Sequence, residues 1–305
     1  MKSFEDILHQ AKTRGRKRAV VAPAPGSDMS AALSRATDLG LIHSIIVDND
    51  PRGGLAERNP GHVQEGTYDP STDDSLWQAV RMVRQGEADI LIQGAKPLGD
   101  FLHIVKDPEN GLGTAATLSF VSVFDSLQAG RLSLVTDTLI NDFPTLEQKI
   151  GIIKNLVNFA HVLDIKRPKL AVLSALELVN PAIPSTLDAA ILAKMSERGQ
   201  LGEAMVEGPL DIDCAVSTEA AHRKGVSHPN TGQFDAFLLP DIESAYSFMQ
   251  FLLLFGGFPM AGVLLGTRSP VVLDLDFQRS AARVIELAIA VLMAPRLEGD
   301  HDLLL

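Results

Sequence analysis

The sequence predicts an α/β protein built on a largely parallel sheet. Short apolar runs of strand length recur along the whole chain, segments with helical periodicity separate most of them, and Gly, Pro, Asn or Asp marks the junctions. Strands that alternate with helices usually form parallel sheets, because the connecting helices then cover the sheet faces. We therefore expect helices on both faces of this sheet.

Each element follows from its local pattern. The apolar runs 118–124 and 132–136 flank a polar turn, which predicts a hairpin. Thr145 and Gln148 have the spacing of a capping box at the start of the longest helix. The predicted strands are 18–23, 44–48, 89–93, 118–124, 132–136, 170–173, a short strand ending at 207, 235–239, 262–265 and 271–273. The predicted helices are 28–39, 74–84, 97–105, 145–163, 185–198, 218–224, 242–255 and 279–293, and residues 50–72 are predicted to be a long loop or lid.

Composition excludes several classes of protein. A length of 305 residues with 46% hydrophobic residues supports one large or two medium domains. The net charge of −11 and the absence of a dense basic stripe argue against nucleic acid as a partner. No apolar run reaches the length of a membrane span, so we expect no membrane partner. The single cysteine, Cys214, suits a reducing compartment, and we expect a cytoplasmic protein.

Two features of the sequence resemble a nucleotide-binding motif and a metal site, and each also has an ordinary structural explanation. Gly111–Ala116 fits the letters GxGxxA, but it precedes a strand, whereas a dinucleotide fingerprint follows one. The carboxylates of Asp241, Asp274 and Asp276 are of the type that binds a hard cation. Asp is also a preferred N-cap residue, and we expect Asp241 and Asp276 to cap helices. No metal site is predicted.

Five longer strings carry a family resemblance: LVTDTLINDFPTLEQK (134–149), ELVNPAIPSTLDAAILAKMSERGQ (177–200), EGPLDIDCAVSTEAAHRKGV (207–226), DAFLLPDIESA (235–245) and AGVLLGTRSPVVL (261–273). Together they resemble the phosphate acetyl/butyryltransferase family, and the phosphate butyryltransferase branch is the nearer match. The resemblance extends over nearly the whole chain. The combination of GPLxxD, PDIE and AGVxLG in this order makes it specific.

The resemblance implies a fold and an activity. Family members transfer an acyl group between the sulfur of CoA and inorganic phosphate, with no bound cofactor and with acyl-CoA as a substrate. Their fold has two α/β domains of the isocitrate/isopropylmalate dehydrogenase type, with the site in the cleft between the domains. By that pattern, residues 1–122 and 268–305 form the first domain and residues 123–267 the second. Members are usually homodimers or larger homo-oligomers joined through the second domain.

Several family positions carry different residues in this chain. Asp276 and Phe277 stand where members place a Ser-Arg pair, and Arg283 stands where the acetyl branch has an Asp. These three are therefore the catalytic positions at which family groups are lost. The other departures are Gln93 for a Lys, Pro97 and Leu98 for an Asp/His-Thr pair, Gly113 for an Arg, and Ala245, Tyr246 and Gln250 for Gly, Asn and Lys. Most of these changes replace basic or hydroxyl groups with neutral or acidic ones.

Other polar residues match the family pattern and are expected to bind substrate at the cleft: Thr136, Asp137, Asn141, Asp213, Glu243 and Arg268. Their alternative role is turn chemistry. Three functional interpretations stay open at this stage. The first is an active acyltransferase with a divergent site. The second is a catalytically inactive relative that binds a ligand or partner. The third is an enzyme that uses a metal held by Asp274, Asp276 and Asp241.

Overall fold

The computed structural model of this chain describes residues 1–47, 74–114, 116–128, 130–277 and 280–294. The chain divides into two compact units. The central unit comprises Met1–Ser3 and Ser119–Met260, and the terminal unit comprises Phe4–Leu118 and Ala261–Leu305. The loop or lid predicted at residues 50–72 lies outside the described residues.

Helices and strands alternate along most of the described chain. In order they are α1 (Phe4–Thr13), β1 (Lys17–Ala22), α2 (Ser27–Asp38), β2 (Ile42–Ile46), α3 (Asp74–Arg84), β3 (Ile90–Gln93), α4 (Leu98–Lys106), β4 (Ser119–Gln128), β5 (Arg131–Thr136), α5 (Leu146–Val162), β6 (Lys169–Leu173), α6 (Pro184–Glu197), β7 (Met205–Leu210), α7 (Ile212–Val216), α8 (Thr218–Arg223), β8 (Ala236–Leu238), α9 (Ile242–Leu254), β9 (Met260–Leu265), β10 (Val271–Val272) and α10 (Ser280–Met293).

The terminal unit has a mainly parallel sheet with the strand order β2-β1-β3-β10-β9. β1 pairs in parallel with β2 and β3, β10 pairs in parallel with β3, and β9 is antiparallel to β10. The strands are short, and β1, β3 and β10 are almost wholly buried, as expected for a parallel sheet covered by helices. α1 and α2 both pack against α10, while α3 packs against β1, β3 and α4.

The central unit has the strand order β4-β5-β8-β6-β7. β4 and β5 are antiparallel neighbours, which confirms the predicted hairpin, and the other neighbouring pairs are parallel. At the start of α5, Thr145 and Gln148 form the predicted capping box, with both reciprocal hydrogen bonds present. The prediction of an α/β fold with largely parallel pairing is confirmed.

Two helices were not predicted. α1 carries Phe4, Ile7, Leu8 and Ala11 at the i, i+3, i+4 and i+7 spacing of an amphipathic helix, so the sequence does contain its signal. α7 has only five residues and is started by Asp211, whose side chain accepts a hydrogen bond from the N–H of Cys214. Within the described part of the chain, every helix is too short or too polar to cross a membrane.

Candidate functional site

In the terminal unit, β3 and β10 are parallel neighbours, so their carboxyl ends lie at the same edge of the sheet. Gln93 ends β3; its side chain donates to the carbonyl of Lys96 at 2.7 Å and accepts from the N–H of Asp274 at 3.0 Å. The amide thereby joins the segment after β3 to the segment after β10. Gly94 is required by close packing, because an added Cβ would lie 1.6 Å from the carbonyl oxygen of Pro23.

A buried ion pair occupies the carboxyl end of β10. The guanidinium of Arg283 pairs with the carboxylate of Asp274 and donates to the carbonyl of Leu275 at 3.1 Å. Arg283 is only 3% exposed, and burial lowers its pKa, although the nearby Glu286 opposes this effect. Glu286 in turn accepts the N–H of Gly262 at 2.7 Å. The Nε of Arg283 is buried and has no hydrogen-bond partner within the described residues.

Two cations therefore lie at or near this edge, although the sequence comparison predicted a loss of basic groups. Lys96 follows the end of β3 and is 6% exposed, and Arg283 enters from the first turn of α10. The sequence analysis assigns no role to Lys96. It considered Asp274 only as a metal ligand. The pairing of Asp274 with Arg283, nine residues apart, had no sequence signal.

The expectation that Asp276 caps the last helix stays a prediction. α10 is described from Ser280 onward, and the two residues before it lie outside the described residues. Asp276 is exposed and stands in a turn with Phe277, which is half-buried.

The family-matching residues after β5 form one tightly bonded turn. Thr136 is buried and donates from its hydroxyl to the carbonyl of Phe120 at 3.2 Å. The carboxylate of Asp137 is bound by the side-chain amide of Asn141. The same carboxylate accepts backbone N–H groups at distances of 3.0 to 3.2 Å from Phe120, Leu139, Ile140 and Asn141. Burial raises the pKa of Asp137, and these hydrogen bonds oppose the shift.

Asp213 belongs to an acidic cluster that already contains a cation. The ammonium of Lys224 lies 2.8 Å from Asp213 and 2.7 Å from Glu177, and it also pairs with Asp211. Together with Cys214, the three carboxylates have the spacing of a metal site. Lys224 supplies the positive charge at this cluster, so the arrangement fits an internal ion-pair network better than a metal centre.

The PDIE string forms the start of α9. Asp241 is the N-cap residue, and its carboxylate accepts the N–H of Ser244 at 2.8 Å, which confirms the predicted cap. Because this carboxylate serves as a cap and that of Asp274 pairs with Arg283, the proposed metal set of Asp274, Asp276 and Asp241 gains no support. Glu243 is exposed in the first turn of the helix.

Arg268 lies at the opposite edge of the terminal sheet from Gln93 and Asp274. It precedes the start of β10 and donates to the carbonyls of Gly113 at 3.1 Å and Pro108 at 3.3 Å. The GxGxxA string is part of the loop that Arg268 holds, and a Cβ at Gly113 would lie 2.3 Å from the carbonyl of Lys106. Packing of the backbone therefore accounts for this glycine.

The structure thus groups the predicted residues into separate local arrangements. In the central unit, Thr136, Asp137 and Asn141 share one turn, Asp213 belongs to the lysine cluster and Glu243 stands on α9. In the terminal unit, Arg283 shares the strand-end edge with Asp274 and Gln93, and Arg268 does not.

Comparisons with known proteins identify the family. The family described as "Phosphate acetyl/butaryl transferase" matches residues 55–292. The phosphate butyryltransferase of Clostridium acetobutylicum is 37% identical over 297 residues, which are 96% of this chain and 99% of that protein.

Solved structures agree with this assignment. A branched-chain phosphotransacylase from Enterococcus faecalis superposes with a TM-score of 0.78 at 26% identity, covering 92% of this chain and all (100%) of that one. A putative 4-hydroxythreonine-4-phosphate dehydrogenase from Salmonella typhimurium has a TM-score of 0.51 at 14% identity, covering 92% and 100%, so it shares the fold alone. The predicted dehydrogenase-type fold and the family resemblance are both confirmed: this chain belongs to the phosphate acetyl/butyryl transferase family.

Proposed function

We propose that this protein transfers a short acyl group between CoA and inorganic phosphate. Family membership supports the class of reaction. The observation that carries the proposal for this particular chain is Arg283. It is a buried guanidinium at the carboxyl end of a parallel strand, and one of its N–H donors has no partner within the described residues. Open α/β sheets bind ligands at this edge, and an unsatisfied buried donor calls for a functional or structural reason.

The chemistry gives such cations a clear role. A phosphate oxygen attacks the thioester carbonyl carbon, a C–O bond forms, and the C–S bond breaks to release a thiolate that takes up a proton. Negative charge on the attacking phosphate, the carbonyl oxygen and the sulfur must be stabilised by fixed donors. A cation about 4 Å from such a charge contributes roughly 4 kcal/mol of attraction at an effective dielectric constant near 20. Arg283 and Lys96 are the residues that we assign to this task, and Gln93 positions them by joining their segments.

A second candidate function rests on Asp276 and Phe277. At the positions where the family resemblance places a Ser-Arg pair, this chain has an exposed carboxylate and a half-buried phenyl ring. A carboxylate there repels phosphate by about as much as an arginine would attract it. Under this alternative, the protein is a catalytically inactive relative that binds acyl-CoA or serves as a structural subunit.

A thiol-release assay separates the two functions. The native protein is incubated with phosphate and either butyryl-CoA or acetyl-CoA, and the double variant Asp276→Ser/Phe277→Arg is assayed beside it. We expect turnover by the native protein above about 1 per second, which is within the usual range for enzymes. The control omits phosphate, so that simple thioester hydrolysis is subtracted.

Absence of phosphate-dependent turnover in the native protein, with recovery in the double variant, would establish the inactive alternative. Thermal unfolding with each substrate added separately then distinguishes an inactive binder from a protein that has lost both sites. A ligand that binds only the folded state raises the free energy of unfolding in proportion to the logarithm of its concentration above Kd.

The finer assignments of assembly and location are also proposals. Phe251, Leu254 and Phe255 on the central unit are 64%, 67% and 79% exposed, and the two phenyl rings stack with centroids 4.9 Å apart. An exposed apolar cluster of this kind supports a homodimer through the central unit, which sedimentation of the native protein and of Phe251→Ser checks. The chain's single cysteine, Cys214, is buried and free, which supports the proposal of a cytoplasmic location; cell fractionation tests it.

A further inference from the structure

A pocket lies in the terminal unit, away from the strand-end edge described above. It has a volume of about 370 Å³ and is lined by Trp77, Arg81, Arg84, Asp107 and Asn110. This volume falls within the range of small-ligand sites, roughly 300–1,000 Å³. The pocket combines an indole, two guanidiniums, a carboxylate and an amide.

Three of the lining residues form one face of α3. Trp77, Arg81 and Arg84 are spaced at i, i+4 and i+7, so their side chains form a row along the helix. The indole is half-buried and both guanidiniums are exposed. Arg84 donates to the carbonyl of Gly111 at 2.9 Å, which fixes the guanidinium against the facing loop. A guanidinium has five N–H donors, so the bond to Gly111 leaves donors of Arg84 for a ligand.

The other wall of the pocket is the loop after α4. Asp107 accepts the backbone N–H groups of Glu109 and Asn110, both at 2.8 Å, and these bonds lower its pKa. Its carboxylate is therefore ionised and held in a fixed position. The same loop is tied at Gly113 by Arg268, so the pocket has one wall on a helix and one on an anchored turn.

Topology separates this pocket from the strand-end edge. The residues after Arg84 lead into the start of β3, and Asp89 just before that strand donates its N–H to the carbonyl of Arg18 at the start of β1. The end of α3 and the loop that it contacts therefore lie toward the edge where the parallel strands begin. Gln93, Asp274 and Arg283 lie at the edge where they end.

We infer that this pocket is a second binding site that takes a nucleoside monophosphate. The indole of Trp77 offers a face on which a planar base stacks. Arg81 and Arg84 supply charge-assisted hydrogen bonds to a phosphate. A fixed carboxylate such as Asp107 is a suitable acceptor for the hydroxyl groups of a ribose, and the amide of Asn110 can both donate and accept at the edge of a base. An inorganic anion would leave the indole and the carboxylate without a role.

The protein contains one tryptophan, so its fluorescence reports on this pocket directly. The experiment titrates AMP into the native protein and follows the emission of Trp77, with adenosine and inorganic phosphate as separate arms. We expect saturable quenching by AMP at micromolar to low millimolar concentrations, and at least tenfold weaker binding of adenosine and of phosphate alone. Arg81→Ala should weaken AMP binding at least tenfold.

Arg35→Ala provides the matched control, because Arg35 is an exposed arginine on α2 of the same unit. It should leave the AMP titration unchanged. Circular dichroism first establishes that the Arg81→Ala variant is folded. Isothermal titration calorimetry on this variant then guards against an optical artefact in the fluorescence. Any of three results would overturn the assignment: no saturable signal with AMP, equal affinity for AMP and phosphate, or equal weakening of AMP binding by the two arginine substitutions.

Discussion

Two carboxylates at strand ends, one buried in the central unit and one partly buried in the terminal unit, are stabilised by different means. Asp137 follows β5 in the central unit, and its oxygens accept four backbone N–H groups and one side-chain amide. Asp274 follows β10 in the terminal unit, where it pairs with the guanidinium of Arg283. The first carboxylate is held by dipoles from its own turn and the neighbouring strand. The second is held by a full charge on a helix.

The difference separates residues that match the family pattern from residues that depart from it. Thr136, Asp137 and Asn141 match the family pattern, and their hydrogen bonds are sufficient to explain them as the framework of a turn. Asp274, Arg283 and Gln93 build an arrangement that the family pattern did not predict. The residues that match the pattern are explained by the architecture, whereas Gln93 and Arg283, which depart from it, belong to the site that we propose for this chain.

The largest effect is expected for Asp137→Ala. The substitution leaves several buried N–H groups without an acceptor, and each such loss costs about 1–3 kcal/mol. We expect the free energy of unfolding to fall by about 4 kcal/mol, measured by urea denaturation of the native protein and the variant.

The control for this substitution is Asp142→Ala, five residues further along the same segment. Asp142 is exposed, and its backbone carbonyl accepts the N–H of Ile242 at 2.9 Å, a bond that does not involve the side chain. A change within about 0.5 kcal/mol is expected. Equal effects for the two substitutions would show that the turn does not depend on the buried carboxylate.

A somewhat smaller effect is expected for Arg283→Met. The variant leaves Asp274 partly buried without its cation, and breaking a buried pair from one side costs about 3 kcal/mol. The double variant Asp274→Asn/Arg283→Met removes both charges and should be more stable than the sum of the single losses predicts, by about 2 kcal/mol. Strict additivity in a urea-denaturation cycle would mean that the two charges do not interact. Arg35→Met, on the exposed surface of α2, controls for the loss of an arginine as such.

Most of the fold could be predicted from the sequence because its signals are local. The buried runs of β1 and β3 are continuous apolar segments with Pro or Gly at their ends, and the capping box of Thr145 and Gln148 is readable from spacing alone. α7 was not predicted because five residues carry too little periodicity to identify a helix. α1 was not predicted although Phe4, Ile7, Leu8 and Ala11 have helical spacing, so in this case the sequence did contain the signal.

The candidate site was harder to predict because its contacts are not local. Gln93 and Asp274 are 181 residues apart in sequence and 3.0 Å apart in space. Alignment to a family identifies which groups are absent from a position, but it cannot show that Arg283 enters the same edge from the following helix. The role of Asp276 stays a prediction for a different reason: the residues between its turn and the described start of α10 lie outside the described residues.

The smallest expected effect is a pH dependence that extends the comparison to a second ion-paired carboxylate. Asp89, in the terminal unit, binds the Arg18 side chain at 2.8 Å and the Arg18 N–H at 2.7 Å. Burial alone would raise the pKa of Asp89, but these bonds from Arg18 outweigh it, so the pKa is lowered. The pKa of Asp137 is shifted in the opposite direction, because the effect of burial exceeds that of the hydrogen bonds there.

The sign of the pH dependence of stability follows from the directions of the two pKa shifts. A lowered folded pKa means that the Asp89 pair contributes stability above the unfolded value of about 3.9, and this contribution is lost as pH falls through the folded pKa. A raised folded pKa means that Asp137 binds its proton more readily in the folded state, so acidification through that value stabilises the fold relative to neutral pH. Asp89→Asn should therefore cost about 1 kcal/mol at pH 7, and this cost should shrink progressively as the pH falls below about 3.9. Urea denaturation at a series of pH values measures this convergence, with Asp38→Asn on α2 as the control; a cost that does not change with pH would show that the ion pair does not account for the stability at Asp89.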